Sequence, residues 1–389
     1  MLSPITDTEH TLDILLPSRP LEPAVPAPLI AAADNWSAAV WAEAVRLGPL
    51  DLTGRQLGQG MELARRPVYI CGVHRSGTTL LRNILDGHPN LIVLPSEGTF
   101  YTVLESKLRA LPPGKQISFL GREWVRRLAN PTNQPPYWLL GRSAGPNSPY
   151  VNFARYFMAW WRVMDHKKIP QAPHIAVVLA YATCTGTLHA KHWVDKTPAN
   201  ERYLKRIWKE MPDARIIHMI RDPTTILNSR KVMEPSLNVR AVLNDMKMSL
   251  NTGVKQSQLN DTRYILVRYE DLCNEPLTML ENLASFLDIP VTASLNVPTV
   301  ADLPVKANSV FANLSPAGKI LKPQQHRQHD ALTTAEHTQL AAYVSRPAEK
   351  LNYPTVQISS SQRFGILLKH ALPRLLPYLR RQFPRYLHP

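Results

Sequence analysis

PVYICGVHRSGTTLLRNILDGHPNLIVLPSE, residues 67–97, decides how the rest of the chain is read. It opens as a short apolar run rich in β-branched and aromatic residues. It then turns through Gly72-Val73-His74-Arg75-Ser76-Gly77-Thr78-Thr79 and resumes with Leu80, Leu81, Ile84 and Leu85 at helical spacing. The pattern predicts a strand, an anion-binding loop and a helix. Such a loop aims backbone N–H groups and the positive end of a helix dipole at one point, which suits the phosphate end of a nucleotide. Residues 91–94 predict a second buried strand, closed by Pro95-Ser96-Glu97-Gly98.

Downstream the same alternation continues. Trp193-Val194-Asp195-Lys196 reads as a strand end, with Thr197 as N-cap and Pro198 at the first position of a helix whose apolar face is Leu204, Ile207, Trp208 and Met211. Residues 214–220 (ARIIHMI) and 264–267 predict further buried strands, each followed by a helix: one from Thr224, the other over 276–287 with Leu277, Leu280, Leu283, Ala284 and Leu287. Strands alternating with helices imply an α/β fold, a P-loop-type parallel sheet flanked by helices in a single main domain with a helical insertion.

Upstream, residues 1–66 read as an N-terminal extension, Pro-rich over 17–28, with a packing helix over 36–47 in which Trp41, Ala44 and Val45 share a face before the stop at Gly48-Pro49. Residues 67–350 form the main domain, with a helical segment near 334–344. Within it, 100–190 is an aromatic and basic insertion, carrying Trp124, Tyr137, Trp138, Tyr150, Phe153, Tyr156, Phe157, Trp160 and Trp161. These aromatics are either the core of the insertion or the wall of an acceptor pocket, and the segment is the expected seat of acceptor specificity. Residues 351–389 form a basic amphipathic C-terminal tail. After Glu349 it has no acidic residue, while Arg363, Lys369, Arg374, Arg380, Arg381 and Arg385 are spread among apolar side chains and interrupted by Pro373, Pro377 and Pro384. Such a tail suits peripheral contact with an anionic membrane surface.

Composition narrows the class. A formal net charge of +15 over 389 residues favours an anionic ligand or surface without choosing one. Three widely spaced cysteines, Cys71, Cys184 and Cys273, indicate neither a disulfide framework nor a structural zinc site. The opening residues lack a signal peptide's basic start and apolar stretch, and no apolar run reaches the ~18 residues of a membrane span. A cytoplasmic protein, peripheral to the membrane at most, is expected.

The loop has Walker A spacing at Gly72 and Gly77, but Thr78 stands in place of the lysine. Its cation is Arg75, three positions earlier. Arginine ahead of Ser76-Gly77-Thr78-Thr79 suits a 5′-phosphosulfate, since a guanidinium can meet both the phosphate and the bridging oxygen on which charge develops. GVHRSGTTLLRNILDGHPN resembles the 5′-phosphosulfate loop of the sulfotransferase superfamily, in the form of its bacterial, tyrosylprotein and Golgi-type branches. ARIIHMIRDPTTILNSR resembles that family's 3′-phosphate segment, a strand followed by Arg221 and then Ser229. RYEDLCNEPLTMLENLASFLDI resembles the segment whose tyrosine, here Tyr269, meets the adenine region.

The resemblance implies the donor 3′-phosphoadenosine 5′-phosphosulfate (PAPS), held by Arg75, Ser76, Gly77, Thr78, Thr79, Arg221, Ser229 and Tyr269. It implies no metal, and a hydroxyl acceptor that could be a carbohydrate, a lipid, a tyrosyl peptide or a small molecule. In the tyrosylprotein branch the base is a glutamate about twenty residues after the loop arginine. Glu97, 22 residues after Arg75, is the corresponding choice. His74 and His88 are the rival bases. Lys196 resembles a lysine that reaches the sulfate, and Ser315-Pro316-Ala317-Gly318-Lys319 stands where the family's final cofactor loop is expected. Two other classes share parts of the pattern. A nucleotide kinase or other P-loop NTPase would need the missing lysine, and a noncatalytic anion or membrane binder would explain the charge alone. No RNA-reading motif points to nucleic acid.

Overall fold

The computed structural model describes residues 4–16, 25–133, 135–142, 148–169, 171–306, 316–322 and 331–370. Three helices come first, α1 (Pro4–Leu15), α2 (Ala27–Leu47) and α3 (Gly54–Ala64), followed by β1 (Pro67–Cys71), α4 (Thr78–Leu85) and β2 (Leu91–Val93). The insertion contributes α5 (Glu105–Arg109), α6 (Pro113–Ala129), α7 (Pro149–His166) and α8 (Ala172–Cys184). The alternation then resumes with β3 (His192–Lys196), α9 (Leu204–Glu210), β4 (Arg215–Ile220), α10 (Pro223–Met233), α11 (Val239–Leu259), β5 (Tyr264–Arg268), α12 (Tyr269–Asn274) and α13 (Pro276–Leu287). A short hairpin, β6 (Thr299–Val300) with β7 (Leu303–Pro304), and the long α14 (Thr334–Lys350) complete the labelled elements.

Five strands form a sheet of order β2-β3-β1-β4-β5, every neighbouring pair parallel. Strand β1 lies at its centre, fully buried, because a parallel sheet is covered on both faces. Its side chains alternate between the covers. Val68 and Ile70 join Val194, Ile217, Met219 and Val267 against Leu81, Ile84 and Leu85 of α4 and Leu280, Leu283 and Leu287 of α13. Tyr69 and Cys71 face the opposite cover with Trp193 and Ile216. The register sets Ile70 beside Lys196 on one side and Ile217 on the other, so the carboxyl ends of β3, β1 and β4 open at one edge.

The second cover is a helical layer shared between the N-terminal helices and the insertion. Trp36 of α2 sits 5.0 Å from both Trp138 and Tyr150 in edge-on contact, and Trp41 packs on Phe157. Gly121 and Gly60 leave room for this packing, since a Cβ at either would overlap Trp41 or Trp160. Of the two readings of the aromatic segment, the core reading holds for Trp124, Trp138, Tyr150, Phe153, Phe157 and Trp160, all buried in this layer. Tyr137, Tyr156 and Trp161 are partly buried against it.

Three local expectations differ in the structure. The N-terminal helix begins nine residues earlier than the expected 36 and leaves Val45 exposed. Leu277, in the first turn of α13, also faces outward. Thr197 caps no helix: its hydroxyl donates to Asp195 and accepts from the Thr99 N–H, and the chain passes through a 3₁₀ turn, Asn200–Tyr203, before α9. One local bond, to Asp195 two residues back, and one tertiary bond, from Thr99, thus take the hydroxyl that a helix cap would have used.

Of the expected tail, residues 360–370 are helical, and His370 Nδ1 lies 2.8 Å from the Tyr343 hydroxyl of α14. Residues 371–389, most of the Pro-rich stretch (17–24) and Ser315 of the candidate final loop lie outside the described residues. Among the described residues no helix is long and apolar enough to cross a membrane.

Candidate active site

The loop between β1 and α4 is shaped by two glycines that only glycine tolerates. Gly72 (φ 134°) and Gly77 (φ 98°) both lie at positive φ. A Cβ on the first would overlap the Met219 carbonyl, and one on the second the Tyr269 ring. Arg75 also has positive φ, at 75°. The Gly72 N–H donates to Glu201 Oε2 at 3.0 Å, tying the loop's entry to the turn after β3. Ser76 is fully buried and its Oγ has no hydrogen-bond partner, a polar atom left over inside the loop. Thr78 and Thr79 begin α4, where the first-turn N–H groups have no partner within the helix.

The predicted donor residues come together around this loop. Arg75 Nε donates to Ser229 Oγ at 3.1 Å, and Arg221 Nη1 donates to the Arg75 carbonyl at 3.2 Å. Arg221 in turn stacks over Tyr269, whose ring covers Gly77. An ion pair with Asp222 or Asp213 would be the plain structural role for this arginine. The Asp222 carboxylate instead caps α10 by accepting from Thr225 N–H at 2.6 Å. Burial pushes the Tyr269 phenol up to about 12, so it stays neutral at physiological pH.

Glu97 and Lys196 form the other half. Lys196 ends β3 and is 3% exposed, and its Nζ donates to Glu97 Oε1, while the Glu97 side chain remains 37% exposed. Burial pulls the Lys196 ammonium below its usual range, and the Glu97 carboxylate opposes that fall. The residues after Glu97 are bound on both sides. The Gly98 N–H donates to Asp195 Oδ1 at 3.0 Å, and the Thr99 N–H donates to Thr197 Oγ1 at 2.8 Å. Arg127 of α6 donates to the Glu97 carbonyl and, at 3.0 Å, to Thr99 Oγ1. Behind them Asp195 Oδ2 lies 3.2 Å from His174 Nε2, both residues nearly inaccessible.

The two rival bases separate. His88 Nε2 lies 2.9 Å from the Pro290 carbonyl, and its Nδ1 accepts from the Asn90 N–H at 3.1 Å. That pattern sets the tautomer and uses both ring nitrogens for chain packing. His74 lines a cleft of about 200 Å³ beside the loop, with Arg202, Arg230, Asn238 and Asp245. Burial holds its imidazole below the usual range, with Glu97 and Asp245 opposing and Arg230 and Lys196 adding to the shift.

Asp195, His174, Arg127 and Glu201 enter the site without having been singled out from the sequence. Asp195 carried one signal, its place beside Lys196 in a strand end. The others carried none, because their partners in the site lie 21 to 129 residues away in the chain. Among the described residues no group of three or more His, Cys, Asp or Glu could hold a metal ion.

A model of the Sulfotransferase family matches residues 67–293, more than half of the chain. Mouse carbohydrate sulfotransferase 3 is 29% identical over 101 residues, a match that covers 21% of this chain and 21% of the mouse protein, about a fifth of its length. Among solved structures, the sulfotransferase domain from the curacin biosynthetic pathway is 18% identical with a TM-score of 0.42, covering 74% of this chain and 98% of that one. A sulfotransferase from Mycobacterium tuberculosis H37Rv is 14% identical with a TM-score of 0.37, covering 75% of this chain and 84% of its own.

Proposed function

The chain belongs to the sulfotransferase family, and on that premise we propose that it transfers a sulfuryl group from PAPS to a hydroxyl acceptor. The observation that carries this reading is the convergence of Arg75, Ser229, Arg221 and Tyr269 on the loop between Gly72 and Gly77. The site fits an anionic nucleotide with two phosphate ends. Two guanidinium groups share it, the buried Ser76 Oγ has an unmet hydrogen bond, and the glycines leave the backbone open to close approach.

In this assignment Ser76, Thr78, Thr79 and the α4 N-terminus hold the 5′ end, with Arg75. Arg221 and Ser229 hold the 3′-phosphate, and Tyr269 packs beside the adenine region. When bound, the donor supplies an electrophilic sulfur with a phosphate as leaving group. Glu97 receives the acceptor's hydroxyl proton on its carboxylate, which is reachable from solvent. Protonating Glu97 would remove the charge that holds Lys196, leaving its buried ammonium to steady the sulfuryl oxygens and the negative charge that develops on the departing phosphate. No step requires a metal ion. The unpaired thiols of Cys71, Cys184 and Cys273 support a reducing compartment, the cytoplasm. Peripheral membrane contact through the basic tail is a separate reading, checked by comparing vesicle binding of the full chain and of a chain ending at residue 361.

Calorimetric titration with 3′-phosphoadenosine 5′-phosphate (PAP), followed by transfer of labelled sulfate to a panel of hydroxyl acceptors, tests the assignment. Arg75→Ala should abolish transfer in a folded protein. Turnover of magnesium–ATP without binding of PAP would overturn the reading.

A further inference from the structure

The segment carrying Glu97 is gripped from two directions, and we propose that Arg127 is a positioning residue for the proton-accepting carboxylate. This rests on the assignment of Glu97 as the base. Arg127 projects from α6 of the helical insertion. Its Nε donates to Glu123 Oε1 at 2.7 Å and its guanidinium lies 5.2 Å from the centre of the Trp124 ring, so the fork is aimed before it meets its targets. Those targets are the Glu97 carbonyl and Thr99 Oγ1. From the sheet side, Asp195 takes the Gly98 N–H and Thr197 takes the Thr99 N–H. Three consecutive residues are therefore fixed at four points, two on each side.

Such fixing has a conformational purpose. Thr99 lies at φ 50°, in the left-handed region that a β-branched residue rarely enters. Backbone of this kind persists where its surroundings over-determine it, and sites of chemistry are where it collects. Gly98 leaves no slack, because a Cβ there would overlap the Asp195 carboxylate. Arg127 binds the backbone of Glu97 and the side chain two residues on, leaving the Glu97 carboxylate to Lys196. Through Arg127 the insertion thus reaches the chemistry by orienting the base.

The test is kinetic. Arg127→Met keeps an apolar stem on Trp124 and removes the fork; Arg127→Lys keeps the charge. We expect Arg127→Met to lower kcat about 10- to 100-fold, the scale for a misplaced reacting group, with PAP affinity within about twofold of wild type. Arg127→Lys should recover part of the loss. On a Glu97→Gln background, adding Arg127→Met should slow single-turnover transfer no further, since a positioning residue has nothing left to position. A brace that merely stabilises the fold would lower the melting temperature and keep its full effect on that background. If Arg127→Met fails to fold by circular dichroism, Thr99→Val removes one target of the fork and carries the same readouts. Wild-type kcat in the folded variant, or a full additional loss beside Glu97→Gln, overturns the positioning role while leaving Glu97 as base. Wild-type kcat in Glu97→Gln alone overturns the base and this proposal with it.

Discussion

The Arg221 guanidinium lies 4.1 Å from the centre of the Tyr269 ring, and that ring covers Gly77 in the anion-binding loop. Side chains from the ends of β4 and β5 thereby close over a turn that leaves β1. On the proposed assignment, Arg221 is the residue that would discriminate between nucleotides with and without a 3′-phosphate. A hydrogen bond to a charged group contributes about 1.5–3 kcal/mol. Arg221→Ala should therefore raise the Kd for PAP about 10- to 100-fold and leave that for adenosine 5′-monophosphate nearly unchanged. Calorimetry with both ligands checks it, and equal losses would contradict the assignment.

On the proposed assignment, Lys196 serves the chemistry at the expense of stability. Burial depresses its pKa, so the unfolded chain holds that proton more tightly. Its contribution to stability accordingly rises with pH between the depressed folded value and the ordinary lysine range. Lys196→Met keeps the buried stem, and the partly exposed Glu97 can rehydrate. The variant should lose transfer while its melting temperature at neutral pH stays level or rises. A fall of more than about 2 °C, on the order of 1.5 kcal/mol in a chain of this size, would show that the ion pair is a net stabiliser.

Acid should loosen the sheet through His192. This residue starts β3, nearly inaccessible, with Nε2 2.9 Å from the Leu287 carbonyl. Burial, with Arg215 nearby, pushes its imidazole down to about 4. From pH ~6.5, the unfolded value, down to about 4, the unfolded state binds the extra proton, so stability falls as pH falls across that window. The loss amounts to at most about 3 kcal/mol. His218, also held low by burial, acts in the same sense. Melting temperatures taken from pH 7 to pH 4 should decline less steeply in His192→Gln than in wild type, and parallel curves would refute the assignment.

The N-terminal helices should behave as part of the core. Trp36 of α2 contacts Trp138 and Tyr150 of the insertion and is almost wholly buried. Trp36→Ala should cost about 3–5 kcal/mol, read as a loss in chemical denaturation, with kcat per folded molecule unchanged. Removing residues 1–66 uncovers the same aromatic layer and should give aggregated protein; a soluble, active truncation would refute the packing argument.

What could be read in the chain beforehand follows contiguity. The loop, the strand ahead of Arg221 and the segment at Tyr269 each hold their signal within a short stretch, and the parallel sheet follows from strands alternating with helices. Thr197 was misleading because Thr-Pro before an apolar helix is a good local start signal, while Asp195 two residues back and Thr99, which only the fold brings near, compete for the hydroxyl. The tryptophans of α6 and α7 posed a different difficulty, since a core and a pocket wall share one composition and only the arrival of α2 over them decides. Arg127 was invisible, one arginine among many in a basic chain, until α6 brought it to Glu97.

The strand order has one more consequence. Glu97, Thr99, Arg127, His174, Asp195 and Lys196 all fall in one uninterrupted span of the chain, whereas the Gly72–Gly77 turn, Arg221, Ser229 and Tyr269 fall outside it, and the two sets adjoin along the β1–β3 seam, where Ile70 stands beside Lys196. The polypeptide is thereby laid out as a cassette within a holder. On the proposed assignment, recombination at two points would exchange the base together with its supports and leave Arg75, Arg221, Ser229 and Tyr269 in place.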